Sequence, residues 1–416
     1  MKKSAIAISV SAVLAGSALA NEGRAPAGIA PLDHVFLIMM ENHGFSQVLD
    51  NPNAPFTNQY AQAANLATNY FAIGHPSLTN YLEVVGGSNF GVRSDHNPAW
   101  HDGACAPNLQ TGVPNTDNPP SGNVCPIAGI GMDAETPAVD TSNEVSNPGD
   151  ALIDIDGVRS VPAAPTTGAT IADQLAARHR TWKSYQESLP AGGADGINLS
   201  DGFFTNNTDF GAITPALDPP LTSADIVALY AVKHNPFAYF RSVQEGTMRG
   251  ASLANSVGFD DSEGLYADLA SGHVPALSFI APNQCNDQHG RGNGGAFCNF
   301  DPGSDGTQAG LNPALIQRGD QTVQKLVGAI KASPAWKEGH NAIVVVWDEN
   351  DFSVSPNTNQ VVAIVDTNYG VHGVKSNARY NHFSLLKTLE AGFGLPCLNH
   401  ACDKDVPVMS DLFARR

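Results

Sequence analysis

Two pairs of oxygen-bearing side chains stand at the ends of two apolar runs. Val35-Phe36-Leu37-Ile38-Met39-Met40 stops at Glu41-Asn42, and Ala342-Ile343-Val344-Val345-Val346-Trp347 stops at Asp348-Glu349. Three carboxylates and an amide offer hard oxygens, the ligands that suit Ca²⁺, Mg²⁺ or Mn²⁺. Added histidines would tilt such a site towards Zn²⁺ or Fe. A third stretch, Gly74-His75-Pro76-Ser77-Leu78-Thr79-Asn80, sets a serine directly after a proline. Proline is tolerated in the first turn of a helix, so Ser77 is expected at a helix start. There it either caps the helix or acts as a nucleophile at the positive helix end, where a phosphate is stabilised. A serine hydroxyl is a poor nucleophile at neutral pH until a base or a metal activates it.

These groups need elements to bring them together. An unbroken apolar run without alternation suits a strand buried on both faces. Open α/β sheets place their ligands at the carboxyl ends of such strands. One polar ending marks only the start of a loop; two, with three carboxylates between them, point to a site. Residues 57–71 read as a helix and residues 171–180 as another. Residues 181–185 read as a strand. The aromatic segment 230–243 carries Lys233, His234 and Asn235. A buried strand at 275–282 leads into Asn283, Asp287 and His289. A helix over 320–331, a strand over 360–365 and a helix over 383–393 complete the series. Alternating strands and helices imply α/β architecture with a mainly parallel sheet. No repeat or linker divides the chain, so residues 21–416 are expected to form one catalytic domain. Residues 91–167, rich in Gly, Pro, Asn, Asp and Ser, read as a loop-rich insertion. Asp150, Asp154 and Asp156 lack the EF-hand spacing and are read as solvated.

Lys and Arg number 22 and Asp and Glu 40, a net charge of −18. That balance argues against a nucleic-acid partner, which requires a basic face. Residues 1–20 have the form of a secretory signal: Lys2-Lys3, an apolar stretch, then Ala18-Leu19-Ala20 before Asn21. Cleavage after Ala20 and a secreted or periplasmic protein are expected. No later segment is long and apolar enough to cross a membrane. Export permits disulfides. Six cysteines allow 15 connectivities; proximity in sequence favours Cys105–Cys125, Cys285–Cys298 and Cys397–Cys402. The sequence specifies no oligomeric state.

Seven stretches in order, "IMMENHGF", "HPSLTNYLEVVGG", "TIADQLAARHRTWKSYQESLP", "YAVKHNPFAYF", "PNQCNDQH", "VVVWDEND" and "YNHFSLLKTLEAGFGL", resemble the phosphoesterase family of bacterial acid phosphatases and phospholipases C. That family lies in the alkaline-phosphatase-like superfamily. The resemblance covers about residues 33–394, interrupted by the insertion. It implies a three-layer sandwich whose mainly parallel central sheet is flanked by helices. It implies a divalent metal (Ca, Mg, Mn or Zn) on Glu41, Asn42, Asp348 and Glu349. It makes Ser77 the nucleophile, and Asn80 a holder of phosphoryl oxygens. His75, Lys233, His234 and Asp287 then fall among substrate-binding positions, and His289 and His382 among catalytic ones. The sequence departs from the family pattern at Gly44, Thr79 and Gly290, and the last bears on the Asp287–His289 segment.

The expected function is a secreted, metal-dependent phosphomonoesterase that cleaves phosphate esters through a phosphoseryl intermediate. A phospholipase C acting on phospholipid head groups is the alternative, although such enzymes usually carry extra C-terminal domains and a twin-arginine signal. An inactive ligand-binding protein on the same fold is the alternative of another class.

Overall fold

The structure, a computed structural model, describes residues 22–92, 95–98, 124–133, 165–191, 193–198, 229–291, 296–303, 306–351 and 358–413. The signal segment, Cys105 and the aspartates 150, 154 and 156 lie outside these residues.

The strands in chain order are β1 (His34–Met40), β2 (Asn65–Ala67), β3 (Tyr70–Phe71), β4 (Ile130–Met132), β5 (Pro165–Thr167) and β6 (Trp182–Gln186). They continue with β7 (Ser256–Gly258), β8 (Leu277–Ala281), β9 (Asn341–Trp347), β10 (Ala363–Thr367), β11 (Lys375–Ser376) and β12 (Tyr380–Asn381). Eight form one sheet in the order β11-β2-β10-β9-β1-β8-β6-β7. Only β10 runs against its neighbours β9 and β2; every other pairing in this sheet is parallel. Helices flank the sheet, giving the mainly parallel, layered α/β architecture.

The centre of the sheet follows from the apolar runs. Every residue from Val35 to Met40 and from Ala342 to Trp347 is buried. Full burial of such side chains is worth about 1.5–3 kcal/mol each, so these strands belong in the middle. The β1–β9 register pairs Met40 with Trp347, the last residue of each strand. Both polar pairs therefore leave the sheet side by side at its carboxyl edge.

The helix expected over residues 57–71 is a correction. It runs Pro55–Ala63, and the chain then extends into β2 and β3. Asn65 explains the break. Its buried side chain donates to Val371 O and Leu412 O and accepts from the Val374 N–H. Those long-range bonds hold an extended backbone that local helix propensity does not favour. The helix expected at 320–331 starts earlier, spanning Pro313–Ala332 behind an Asn312 cap. The strand expected at 360–365 is β10, shifted three residues on at its start.

The insertion is not wholly peripheral. Val124 and Ile127 are in the core, the Tyr239 hydroxyl donates to His96 O, and β4 pairs with β5. Cys285–Cys298 and Cys397–Cys402 are disulfide-bonded, as sequence proximity suggested. Among the described residues no helix is long and apolar enough to cross a membrane.

Candidate active site

At the carboxyl edge, Glu41, Asp348 and Glu349 each present an oxygen within 4.8 Å of the others. The main chain fixes them. Asp348 N donates to Met40 O at 3.0 Å, and Asn42 N donates to Asp348 Oδ1 at 3.1 Å. Asn42 adopts a left-handed backbone (φ 55°), which asparagine tolerates better than most residues. Glu41 N donates to Asp287 O at 2.9 Å, drawing the loop after β8 to the same edge.

Ser77 is the first residue of the Ser77–Gly86 helix, whose cap position is Pro76. Its side chain does not cap. The hydroxyl donates to Glu349 Oε1 at 2.9 Å. Asn80 Nδ2 donates to Glu349 Oε2 at 3.1 Å, and His75 Nδ1 lies 2.8 Å from that oxygen. Asn80 Oδ1 also accepts the Ile73 and Gly74 N–H groups, each at 3.0 Å. Asn80 thus positions the turn before Ser77 and Glu349 together. The helix ends at Gly87, whose left-handed φ of 72° and approach to Leu398 O leave no room for a Cβ.

His234 lies between two carboxylates, with Nε2 2.7 Å from Glu41 Oε1 and Nδ1 3.2 Å from Asp287 Oδ2. His289 holds Gly290 O through Nδ1 at 2.9 Å, and its Nε2 faces Lys233 Nζ at 3.2 Å. Gly290 has a φ of 88°. Glycine meets that geometry without strain, whereas an acidic side chain would meet Leu315 and Phe300 at about 3.2 Å. His382 is placed differently from a leaving-group acid. Its Nε2 contacts Asp348 O at 2.6 Å and its Nδ1 the Tyr70 hydroxyl at 3.0 Å, so both nitrogens are committed.

The electrostatics match this geometry. Burial pushes Glu41 upward, but the charge and contact of His234 outweigh it and pull the carboxyl down to about 2. Burial pushes His234 down, and Glu41 and Asp287 reverse that, raising it to about 9. Asp348 is held well above its ordinary range, first by burial and then by the charges of Glu41 and Glu349. Burial lowers His382 to about 4 against the pull of Asp348 O, leaving it neutral. Glu41 Oε2 and Asp348 Oδ2 are buried without a hydrogen-bond donor among the described residues. Three crowded carboxylates, two of them with such oxygens, are the environment that a divalent cation neutralises, so the donor set fits a metal ion.

Two residues near the site were not singled out from the sequence. Asp95, inside the insertion, accepts Leu78 N at 2.9 Å and faces Lys233 Nζ at 3.1 Å. It satisfies the helix start that Ser77 does not cap, and nothing in its local sequence marks that long-range role. Tyr81, four residues after Ser77, stacks on His234 at 5.1 Å. Helical spacing from Ser77 would have found it.

Comparison with known proteins adds an independent line. The sequence profile described as "Phosphoesterase family" matches residues 47–297 and 307–396. An acid phosphatase from Aspergillus fumigatus is 23% identical over 375 residues, covering 89% of this chain and 57% of that protein. A phosphate-repressible acid phosphatase from Penicillium chrysogenum is 24% identical, with 88% and 60% covered. The chain thus spans less than two thirds of these two relatives. A phosphatidylinositol-3-phosphatase from Mycobacterium tuberculosis is 23% identical over 417 residues, with 98% of this chain and 94% of that protein covered. Among solved structures, an alkaline phosphatase superfamily protein from Vibrio parahaemolyticus aligns with a TM-score of 0.43 and 12% identity, covering 92% of this chain and 72% of that one.

Proposed function

The chain belongs to the phosphoesterase family, and from that premise we propose that it is an exported, metal-dependent hydrolase of phosphate monoesters that works through a phosphoserine at residue 77. One observation carries the reading. The Ser77 hydroxyl is aimed at Glu349 Oε1, 2.9 Å away, inside a buried group of three carboxylates.

A divalent ion on Glu41, Asn42, Asp348 and Glu349 would supply Lewis-acid polarisation of the phosphoryl and seryl oxygens. The chain's own residues do the rest. Ser77 Oγ attacks phosphorus, its proton passes to Glu349, and the bond from phosphorus to the leaving oxygen breaks. The Lys233–His289 pair lies within the site and offers the departing alkoxide a proton. Water then attacks the phosphoserine, releasing phosphate and restoring the hydroxyl. His234 holds Glu41 and Asp287 in place, and His382 orients the Asp348 backbone while remaining neutral. Catalysis of this kind is mainly positioning and electrostatics.

A relative matched over nearly its whole length is a phosphatidylinositol-3-phosphatase, which favours a phosphorylated head group as one monoester worth testing. Export is supported by the N-terminal signal pattern and by two disulfides. The test is hydrolysis of p-nitrophenyl phosphate with and without chelator, beside phosphatidylcholine as a diester. Chelator-sensitive monoester turnover is expected. Release of phosphocholine instead would favour the phospholipase C alternative, and no turnover with retained binding would favour an inactive binding protein.

A further inference from the structure

Tyr81 stands one turn after Ser77 on the same face of the Ser77–Gly86 helix. Helix side chains lean towards the N-terminus, the direction of the turn that carries Ser77. The ring lies parallel to His234, with centroids 5.1 Å apart and planes 12° apart, and meets Phe279 at 6.1 Å. Tyr81 is completely buried, yet its hydroxyl has no hydrogen-bond partner among the described residues. Burial and the charges of Glu41, Asp348, Asp287 and Glu349 hold the phenol well above its ordinary range, so it keeps its proton. A buried donor left unpaired is costly to a fold. Here that donor belongs to a ring stacked on His234, which itself meets Glu41 at 2.7 Å, and no described residue uses it.

We propose that Tyr81 is a catalytic residue whose O–H donates a hydrogen bond to a phosphoryl oxygen as Ser77 attacks. No proton is transferred in this role. The phenol stabilises charge that grows on the oxygen, as an oxyanion-hole donor does. The proposal rests on the phosphoesterase reading above.

Tyr81→Phe tests it, because this change keeps the ring, the stack on His234 and the packing against Phe279 while removing only the hydroxyl. The metal-loaded enzyme would be assayed for kcat and KM on p-nitrophenyl phosphate, for orthovanadate affinity by calorimetry, for metal content and for melting temperature. The expected result is a kcat lower by roughly 100-fold, vanadate affinity weaker by about tenfold or more, unchanged metal content, and a melting temperature equal to or above that of the unaltered protein. A variant with unaltered kcat and vanadate affinity overturns the proposal. So does a loss of activity matched by lost metal or a lower melting temperature, which would make Tyr81 a packing residue. An unaltered protein inert towards both the ester and vanadate would refute the phosphoesterase reading itself, and this role with it.

Discussion

The Ser77 hydroxyl and Glu349 meet at 2.9 Å across 272 residues of sequence. One stands at the start of a helix, the other just beyond the end of a central strand. Their contact joins the serine oxygen to the carboxylate group, and it separates two roles for Ser77. A capping serine would bond its own helix; this one bonds across the site.

Ser77→Ala is therefore expected to cut turnover by roughly 10³-fold or more. The lost hydrogen bond should cost no more than about 3 kcal/mol of stability. Kinetics on p-nitrophenyl phosphate beside a denaturant titration measures both. A folded, metal-replete variant with a near-normal rate would retire Ser77 as nucleophile.

Asp348→Asn is expected to have opposite effects on activity and on the metal-free fold. Removing a ligand should lower bound metal and cut turnover by roughly 100-fold or more. Removing a charge that burial, Glu41 and Glu349 all oppose should stabilise the metal-free protein. Elemental analysis and thermal melts in chelator provide the check; an apo variant that melts below the unaltered apo protein contradicts the crowding argument.

The two described disulfides should differ in their effect on activity. Cys285–Cys298 braces the loop bearing Asp287 and His289, whereas Cys397–Cys402 closes a five-residue separation near the chain's end. Replacing the first pair by alanine is expected to lower activity more, with a stability loss of about 2–4 kcal/mol. Equal losses from both replacements would count against a brace at the site.

His400 is expected to give a pH-dependent contribution through carboxylates other than Glu41, Asp348 and Glu349. Its Nε2 lies 2.5 Å from Asp133 and its Nδ1 2.8 Å from Asp403. Burial lowers the imidazole, but the Asp133 contact and charge, with Asp403, raise it above its ordinary 6.5. A raised folded value means the stabilisation is complete below the unfolded value of about 6.5. It is lost as pH rises through the higher folded value. His400→Gln should therefore destabilise more at about pH 5.5 than at about pH 9, read by urea unfolding. A pH-independent difference would show that the imidazole is not charged in the fold.

Much of the fold was legible because burial leaves a simple signature. Runs such as Val35–Met40 admit few placements other than a central strand, and their polar ends mark its carboxyl edge. The Glu41, Asp348 and Glu349 grouping follows once β1 and β9 are adjacent, a neighbour relation that periodicity alone does not specify. What escaped the sequence depends on contacts with no local trace. Asn65 ends a helix through bonds to residues more than 300 positions away. Asp95 lies in a stretch whose composition says only loop, yet it supports the first turn of the Ser77–Gly86 helix. His382 sits in a motif that suggests chemistry, while its two hydrogen bonds commit it to holding Asp348 and Tyr70.

The position of β1 at the centre of the sheet imposes an order on folding. β1 (His34–Met40) lies far in sequence from both of its neighbours in the sheet, β8 (Leu277–Ala281) and β9 (Asn341–Trp347). Until residues 277–281 and 341–347 are in place, this largely apolar strand lacks its sheet partners. Joining Asn42 to Asp348 closes a separation of 306 residues, an entropic cost of about 5 kcal/mol by the logarithmic rule. Folding of this protein is thus expected to be slow, with an apolar segment that must be kept from self-association until its distant partners are in place.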